Sequence, residues 1–259
     1  MSWRFVKHYP SSSARQAAEA NYHWLAGLQS RLCLPELAAA SGLVLCFERI
    51  DGRCARPEDL VMLAAHLGDV HGSAYATELH QARLNQPYCA VRGHMLPSFP
   101  HRRVNAVARE LRAGNVPGDG LISVARAQRL LVDADGPAAF YKDANPRNFL
   151  ITPGGLPVTI DFDDLTLAPF GYDLAKLVVT LAMTYGGLPD EQIAAALCAY
   201  NTAAARQCAA LPGVTWAQLM NWAEIHHILT SRYAADCRYT RRWHEVRPAG
   251  HGTGERTWP

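Results

Sequence analysis

Lysine is nearly missing from this chain. Of 25 basic residues only Lys7, Lys142 and Lys176 are lysines, and the other 22 are arginines. An ammonium kept in so few places marks positions where a compact point charge works and a planar guanidinium does not. Charge of one sign is also lacking: the formal net charge of +2 is too small to make nucleic acid or a membrane surface the main partner. No apolar run reaches the ~18 residues that a membrane span needs. The longest, 174–185, carries Lys176. Residues 1–10 hold Lys, Arg and His with no apolar centre, which excludes a signal peptide as the expectation. The seven cysteines (33, 46, 54, 89, 198, 208 and 237) contain no Cys-x-x-Cys pair. A zinc or disulfide framework is therefore not expected, and reduced thiols in a cytoplasmic protein are.

What is present is apolar material in quantity. Hydrophobic residues make up 49% of the 259 and charged residues 19%, enough for a sizeable core in one large domain or two lobes sharing a cleft. Alternation in 2–8 predicts a strand and Ser11-Ser12-Ser13 a cap for a helix over 14–32. Residues 43–48 read as a buried strand, and Asp51-Gly52 as a turn or linker. From Pro57 the pattern is mostly helical, returning over 101–113, 120–132, 172–185, 190–206 and 215–239.

One stretch breaks that pattern. Residues 138–164 read as a hairpin, with Phe140-Tyr141 and Phe149-Leu150-Ile151 flanking a polar segment. Thr152-Pro153-Gly154-Gly155 forms the turn and Val158-Thr159-Ile160 leads to Asp161. Asp143 and Asn148 stand five residues apart, and Asp161 ends a buried-type strand where an acid is costly without a role. Phosphoryl transfer needs this set. One carboxylate orients an acceptor hydroxyl and takes its proton, while an amide oxygen and a second carboxylate hold Mg²⁺ on nucleotide phosphates.

The segment resembles the signature of the aminoglycoside phosphotransferase and choline kinase family, relatives of the protein kinases. The resemblance is carried by Asp143, Asn148, Ile160-Asp161-Phe162-Asp163 and Tyr172-Asp173-Leu174-Ala175, and extends over about 3–205. It implies an α+β, protein-kinase-like two-lobed fold with a truncated N-lobe and a mainly helical C-lobe. The N-lobe is placed at 1–52, the C-lobe at 53–246 with the catalytic hairpin 138–164, and a loose tail at 247–259. It also implies roles. Asp143 is the catalytic base, and Asn148, Asp161 and Asp163 are metal ligands. Lys7, paired with Glu19 on the next helix, holds phosphates, and Glu48 and Ile50 lie where the lobes join and adenine is met. Asp173 anchors the catalytic loop, and His71 is a packing histidine.

Two departures matter. Tyr141-Lys142 precedes Asp143 where the family has His-Gly, which makes Lys142 a candidate catalytic residue through its effect on Asp143 and on phosphate charge. The two strands and phosphate-covering loop usual before the lysine strand are not in the sequence. The expected activity is transfer of the γ-phosphoryl group of ATP (or GTP) to a hydroxyl of a small molecule, with Mg²⁺. Alternatives are a kinase subunit acting on Ser or Thr of a peptide with a partner protein completing the lobe, and a non-catalytic nucleotide-binding (pseudokinase) module. From Leu165 onwards eight Lys plus Arg face seven Asp plus Glu, which weakens a polycationic acceptor. Trp216, Trp222, Tyr233, Tyr239 and Trp243 are candidates for an aromatic cage, and core packing is the commoner use of such spacing. Arg238, Arg241, Arg242 and Arg247 form a basic cluster that reads first as a solvated face. His226-His227 lacks the partners of a metal site.

Overall fold

A computed structural model describes residues 4–28, 32–114, 122–234 and 239–248. The chain opens with β1 (Arg4–His8) and α1 (Ser12–Gly27), whose N-cap Ser11 accepts the Ala14 N–H. β2 (Leu37–Ser41) and β3 (Val44–Glu48) follow. The three strands form an antiparallel sheet in the order β1-β3-β2, with Val6 opposite Cys46 and Ser41 opposite Val44. β2 was not expected. Its sequence, Leu-Ala-Ala-Ala-Ser, has helical propensity, but a turn at Gly42 folds it back on β3 and tertiary pairing prevails. α1 is shorter than its periodicity suggests, and 29–31 lie outside the described residues.

β4 (Arg53–Cys54) does not act as a free linker, because it pairs with a strand of the later hairpin. α2 (Leu60–Thr77) is the first long helix of the large lobe. β5 (Tyr88–Cys89) and β6 (Met95–Leu96) make a small ribbon. α3 (Arg103–Arg112) and α4 (Val124–Val132) match the two helical patterns, with the connecting 115–121 outside the described residues. β7 (Ala138–Tyr141) leads into the polar segment, followed by β8 (Phe149–Ile151), β9 (Pro157–Thr159) and β10 (Thr166–Pro169). β8 lies between β4 and β9, and β10 pairs with β7. The strand expected at 158–160 sits one residue earlier, because Ile160 instead donates its N–H to Asn148 O at 2.9 Å.

α5 (Tyr172–Tyr185) is buried from Tyr172 through Met183 and forms the axis of the large lobe. α7 (Trp216–Thr230) packs along it, α6 (Asp190–Gln207) packs against α2, and a short α8 (Trp243–Val246) closes the end. The pattern over 215–239 overran: α7 stops at Thr230, and 235–238 lie outside the described residues. α2 and α6 touch through their backbones. A Cβ on Gly68 would lie 2.2 Å from Tyr200 O, and one on Gly72 would lie 2.8 Å from Ala204 O, so only glycine permits this approach. Among the described residues no helix is long and apolar enough to cross a membrane.

Candidate active site

Asp173 sets the site up from below. It is fully buried in the first turn of α5, and its carboxylate accepts the N–H groups of Lys142 (3.0 Å) and Ala144 (2.9 Å). These two bonds clamp the backbone on either side of Asp143. Burial pushes the Asp173 carboxyl up, to about 6, against the opposing pull of Lys142 and the two N–H donors. Behind it lies His71, whose Nδ1 meets Tyr200 Oη at 2.8 Å while Tyr200 Oη accepts the Gly171 N–H at 3.0 Å. Burial lowers His71 to about 3, so it is neutral. It is the packing histidine the sequence suggested, with a polar tether added.

Asp143 is held in the left-handed backbone region, with φ 64°. Its Oδ1 accepts the Tyr141 hydroxyl at 2.8 Å and lies 3.4 Å from Lys176 Nζ. Burial alone would raise this carboxyl. Lys176, the Tyr141 hydroxyl and Lys142 together outweigh it and hold Asp143 below the ordinary carboxylate range. Lys176 is likewise raised despite burial, chiefly by Asp143. Asn148 donates through Nδ2 to Asp143 O at 2.8 Å, which fixes its amide and leaves its carbonyl oxygen as an acceptor.

Asp161, at φ 60°, is the second left-handed aspartate. Non-glycine residues seldom sit there, and Asp and Asn do so most readily. Lys7 reaches across from β1 and bridges Asp161 Oδ1 at 2.7 Å and Asp163 Oδ2 at 2.8 Å. Burial lowers Lys7, yet the two carboxylates prevail and raise it. α1 is pinned to the same loop by Asn21, whose Nδ2 donates to Phe162 O at 2.7 Å.

The expected residues are thus divided. Lys7, Asp161 and Asp163 meet, and Asp143 and Asn148 stand together. Glu19 does not join Lys7, because Arg15 one turn earlier on α1 takes its carboxylate. Lys142 is turned into the core, with Nζ 4.3 Å from the Phe149 ring centroid and no hydrogen-bond partner. Burial lowers its pKa against the attraction of Asp173, Asp143 and Asp161. Tyr141, the last residue of β7, lines the cleft, and alternation along the strand turns the next residue, Lys142, to the opposite side. Glu48 ends β3 with its N–H bonded to Glu36 O, and Glu48 and Ile50, like Lys7, Asn148 and Asp161, lie outside the walls of the large cleft.

The cleft measures about 1020 Å³, and Asp143, Asn145, Asp163, Lys176, Tyr141 and Tyr239 are among its walls. The aromatic candidates separate. Trp243 is fully buried and donates to Glu224, Trp222 packs on Phe99 and Tyr172, and Trp216 is half-buried against the core. Tyr233 and Tyr239 line the cleft. The basic cluster is dispersed: Arg241 donates its N–H to Met183 O, Arg242 caps α8 against Glu245, Arg247 pairs with Glu224, and Arg238 lies outside the described residues. His226 meets Tyr172 O at 2.9 Å as a buried neutral ring. Lys176, Tyr141 and Asn21 were missed by sequence reasoning. The scarcity of lysine was the one available pointer, to Lys176.

For a divalent cation the fit is a matter of donor type. Among the described residues no three His, Cys, Asp or Glu side chains are grouped to hold a metal. Asp161 and Asp163 already hold one cation, Lys7, between them, and Asn148 offers an amide oxygen. Hard oxygen donors in this small number suit Mg²⁺, which takes one or two carboxylates and completes its shell with phosphates and water.

Two lobes meeting at paired carboxylates, with a hairpin carrying both, define a kinase-like phosphotransferase. The chain belongs to the phosphotransferase enzyme family, whose model matches residues 4–211, and members act on hydroxyl or similar groups. The family implies use of a nucleotide and a divalent metal. Among solved structures the fold is similar to choline kinase from Cryptosporidium parvum Iowa II. There the TM-score is 0.60 at 12% identity, covering 92% of this chain and 77% of that one. It is also similar to aminoglycoside-3'-phosphotransferase of type VIII (TM-score 0.51, 21% identity, 87% and 84% covered). A third is the amicoumacin kinase hAmiN in complex with AMP-PNP, Ca2+ and Ami (TM-score 0.57, 15% identity, 87% and 72% covered). No curated protein matches the sequence.

Proposed function

We propose that this protein transfers the γ-phosphoryl group of ATP to a hydroxyl of a small molecule bound in the cleft. The observation that carries the reading is Asp143, clamped through Asp173 and aimed into the cleft by Tyr141 and Lys176. Held below the ordinary carboxylate range, Asp143 is ionised at neutral pH. It accepts a hydrogen bond from the acceptor hydroxyl, orients its oxygen at the γ-phosphorus, and receives the proton as the new O–P bond forms. The bond from the γ-phosphorus to the bridging oxygen breaks, and ADP leaves with that electron pair. Lys176 Nζ, beside Asp143, supplies positive charge where the transferring group gains negative charge.

Asn148, Asp161 and Asp163 are the residues that would hold Mg²⁺. The metal, when bound, neutralises phosphate charge. Lys7 changes partner, from the two carboxylates to the nucleotide phosphates, and remains between the lobes. Asn21 keeps α1 fixed to the Asp161 loop meanwhile.

Calorimetry of ATP and GTP binding, with and without Mg²⁺, tests the reading. Binding that needs Mg²⁺ and is lost in Asp161→Asn is expected. Mg²⁺-dependent binding of equal strength in that variant would remove Asp161 from the site, and no nucleotide binding by the unaltered chain would sink the reading itself.

A further inference from the structure

An aromatic enclosure stands beside the reacting end of the cleft, and the protein's own cation fills it. The Arg103 guanidinium carbon lies 4.8 Å from the Tyr141 ring centroid, 4.9 Å from Phe99 and 5.1 Å from Tyr172. The side chain is 8% exposed. Nε donates to Tyr172 Oη (3.2 Å), Nη1 to Phe99 O (2.7 Å) and Nη2 to Thr166 Oγ1 (2.8 Å). Tyr141 in turn donates to Asp143. Three rings about a cation are what an ammonium-bearing acceptor requires, and here that place is taken.

Carboxylates are the other means of holding a cationic acceptor, and those of the cleft, Asp164 apart, are committed. Glu78 accepts from Trp24 Nε1 and Val91 N. Glu110 accepts from Arg109 through Nε and Nη2. Asp143 and Asp163 belong to the reacting set, and burial together with Asp143, Asp163 and Asp161 raises the Asp164 carboxyl against the weaker opposing pull of Arg102. Arg102 itself is exposed, lines the cleft and precedes Arg103 directly.

We propose that the acceptor is a hydroxylated small molecule carrying an oxyanion, a carboxylate or a phosphate ester. The oxyanion seats against Arg102 with the Arg103 guanidinium behind it, and the hydroxyl points to Asp143. A guanidinium fork matches either oxyanion. This inference rests on the cleft being the acceptor site of the reaction above.

The test is calorimetry on the full chain with Mg²⁺ and a non-hydrolysable ATP analogue, titrating glycerol 3-phosphate, glycerate, glycerol and choline. At least one anion is expected to bind roughly tenfold or more tighter than glycerol, and choline no tighter than glycerol. Which anion leads separates phosphate ester from carboxylate. Arg102→Asn, which suits the left-handed φ of 64° at that position, is expected to erase the preference. Absence of a preference for either anion, a preference that survives Arg102→Asn, or choline binding ahead of both anions overturns the proposal. Arg103→Ala gives a second reading: vacated rings are expected to bind tetramethylammonium, which the unaltered chain does not, and equal affinity in both chains removes the cage argument. A chain that binds Mg²⁺ and nucleotide but shows no anion preference loses this inference and keeps the reaction.

Discussion

Lys176 Nζ lies 3.4 Å from Asp143 Oδ1, joining the first turns of α5 to the loop after β7. Lys176 is buried while Asp143 is 34% exposed at the cleft, and each shifts the other toward its charged form. Lys176→Met keeps the volume and deletes the charge. With its main opponent gone, burial raises the Asp143 carboxyl. The acidic limb of the pH profile of kcat/KM is therefore expected to move to higher pH, and kcat to fall on the order of a hundredfold. An unmoved acidic limb would detach Lys176 from Asp143.

Asp173→Asn tests the clamp. An amide oxygen can accept one of the two N–H groups now held by the carboxylate, and its NH₂ faces the other donor. One buried N–H left unpaired costs about 1–3 kcal/mol. A lowered urea midpoint is expected, with a larger fall in kcat than in nucleotide affinity, because the clamp flanks Asp143 and not Lys7. Equal losses in both would indicate general unfolding in place of a loosened loop.

Acid should weaken the fold through its buried imidazoles. Burial lowers His71 to about 3 and holds His226 well below the ordinary histidine value. Both are neutral in the folded chain, while in the unfolded chain they take up protons near pH 6.5. Between those values the unfolded state binds more protons, so stability falls as pH drops below about 6.5. Urea midpoints at pH 7.5, 6.5 and 5.5 are expected to descend over the lower interval. His71→Gln, which does not titrate, is expected to flatten part of that descent. A midpoint indifferent to pH would contradict the neutral assignments.

The legible part of the site was the part that is local in sequence. Asp143, Asn148 and Asp161 lie on one hairpin, and their spacing alone brings them within reach of one another. Lys7 was legible through the resemblance, as a strand lysine ahead of a glutamate-bearing helix, and the scarcity of lysine was a lesser hint that applied equally to Lys176. Residues arriving from distant helices were not: Asn21 comes from α1, Arg103 from α3 and Lys176 from α5, and no pattern around them announces a cleft. Glu19 misled because a helical neighbour at i−4, Arg15, is always nearer than a strand across a lobe. Lys142 misled because it follows Tyr141 out of β7, and strand alternation turns it away from the cleft that Tyr141 faces, however near it stands to Asp143 in sequence. The same limit explains β2, where alanine-rich sequence gave no strand signal and pairing with β3 decided the conformation.

Asp143 and Asp161 share the left-handed backbone, and this bears on how the activity can be lost. Asparagine and glycine accept that conformation with little strain, and both are neutral. Glutamate, the one replacement that keeps the charge, does not fit it comfortably. A single-base change in an aspartate codon reaches either neutral residue. Glutamate is also one base away but fits the left-handed backbone less readily, so at these two positions the chemistry can vanish in one step while the chain still folds. Descendants that keep the shape and have lost the reaction are therefore close neighbours of this sequence.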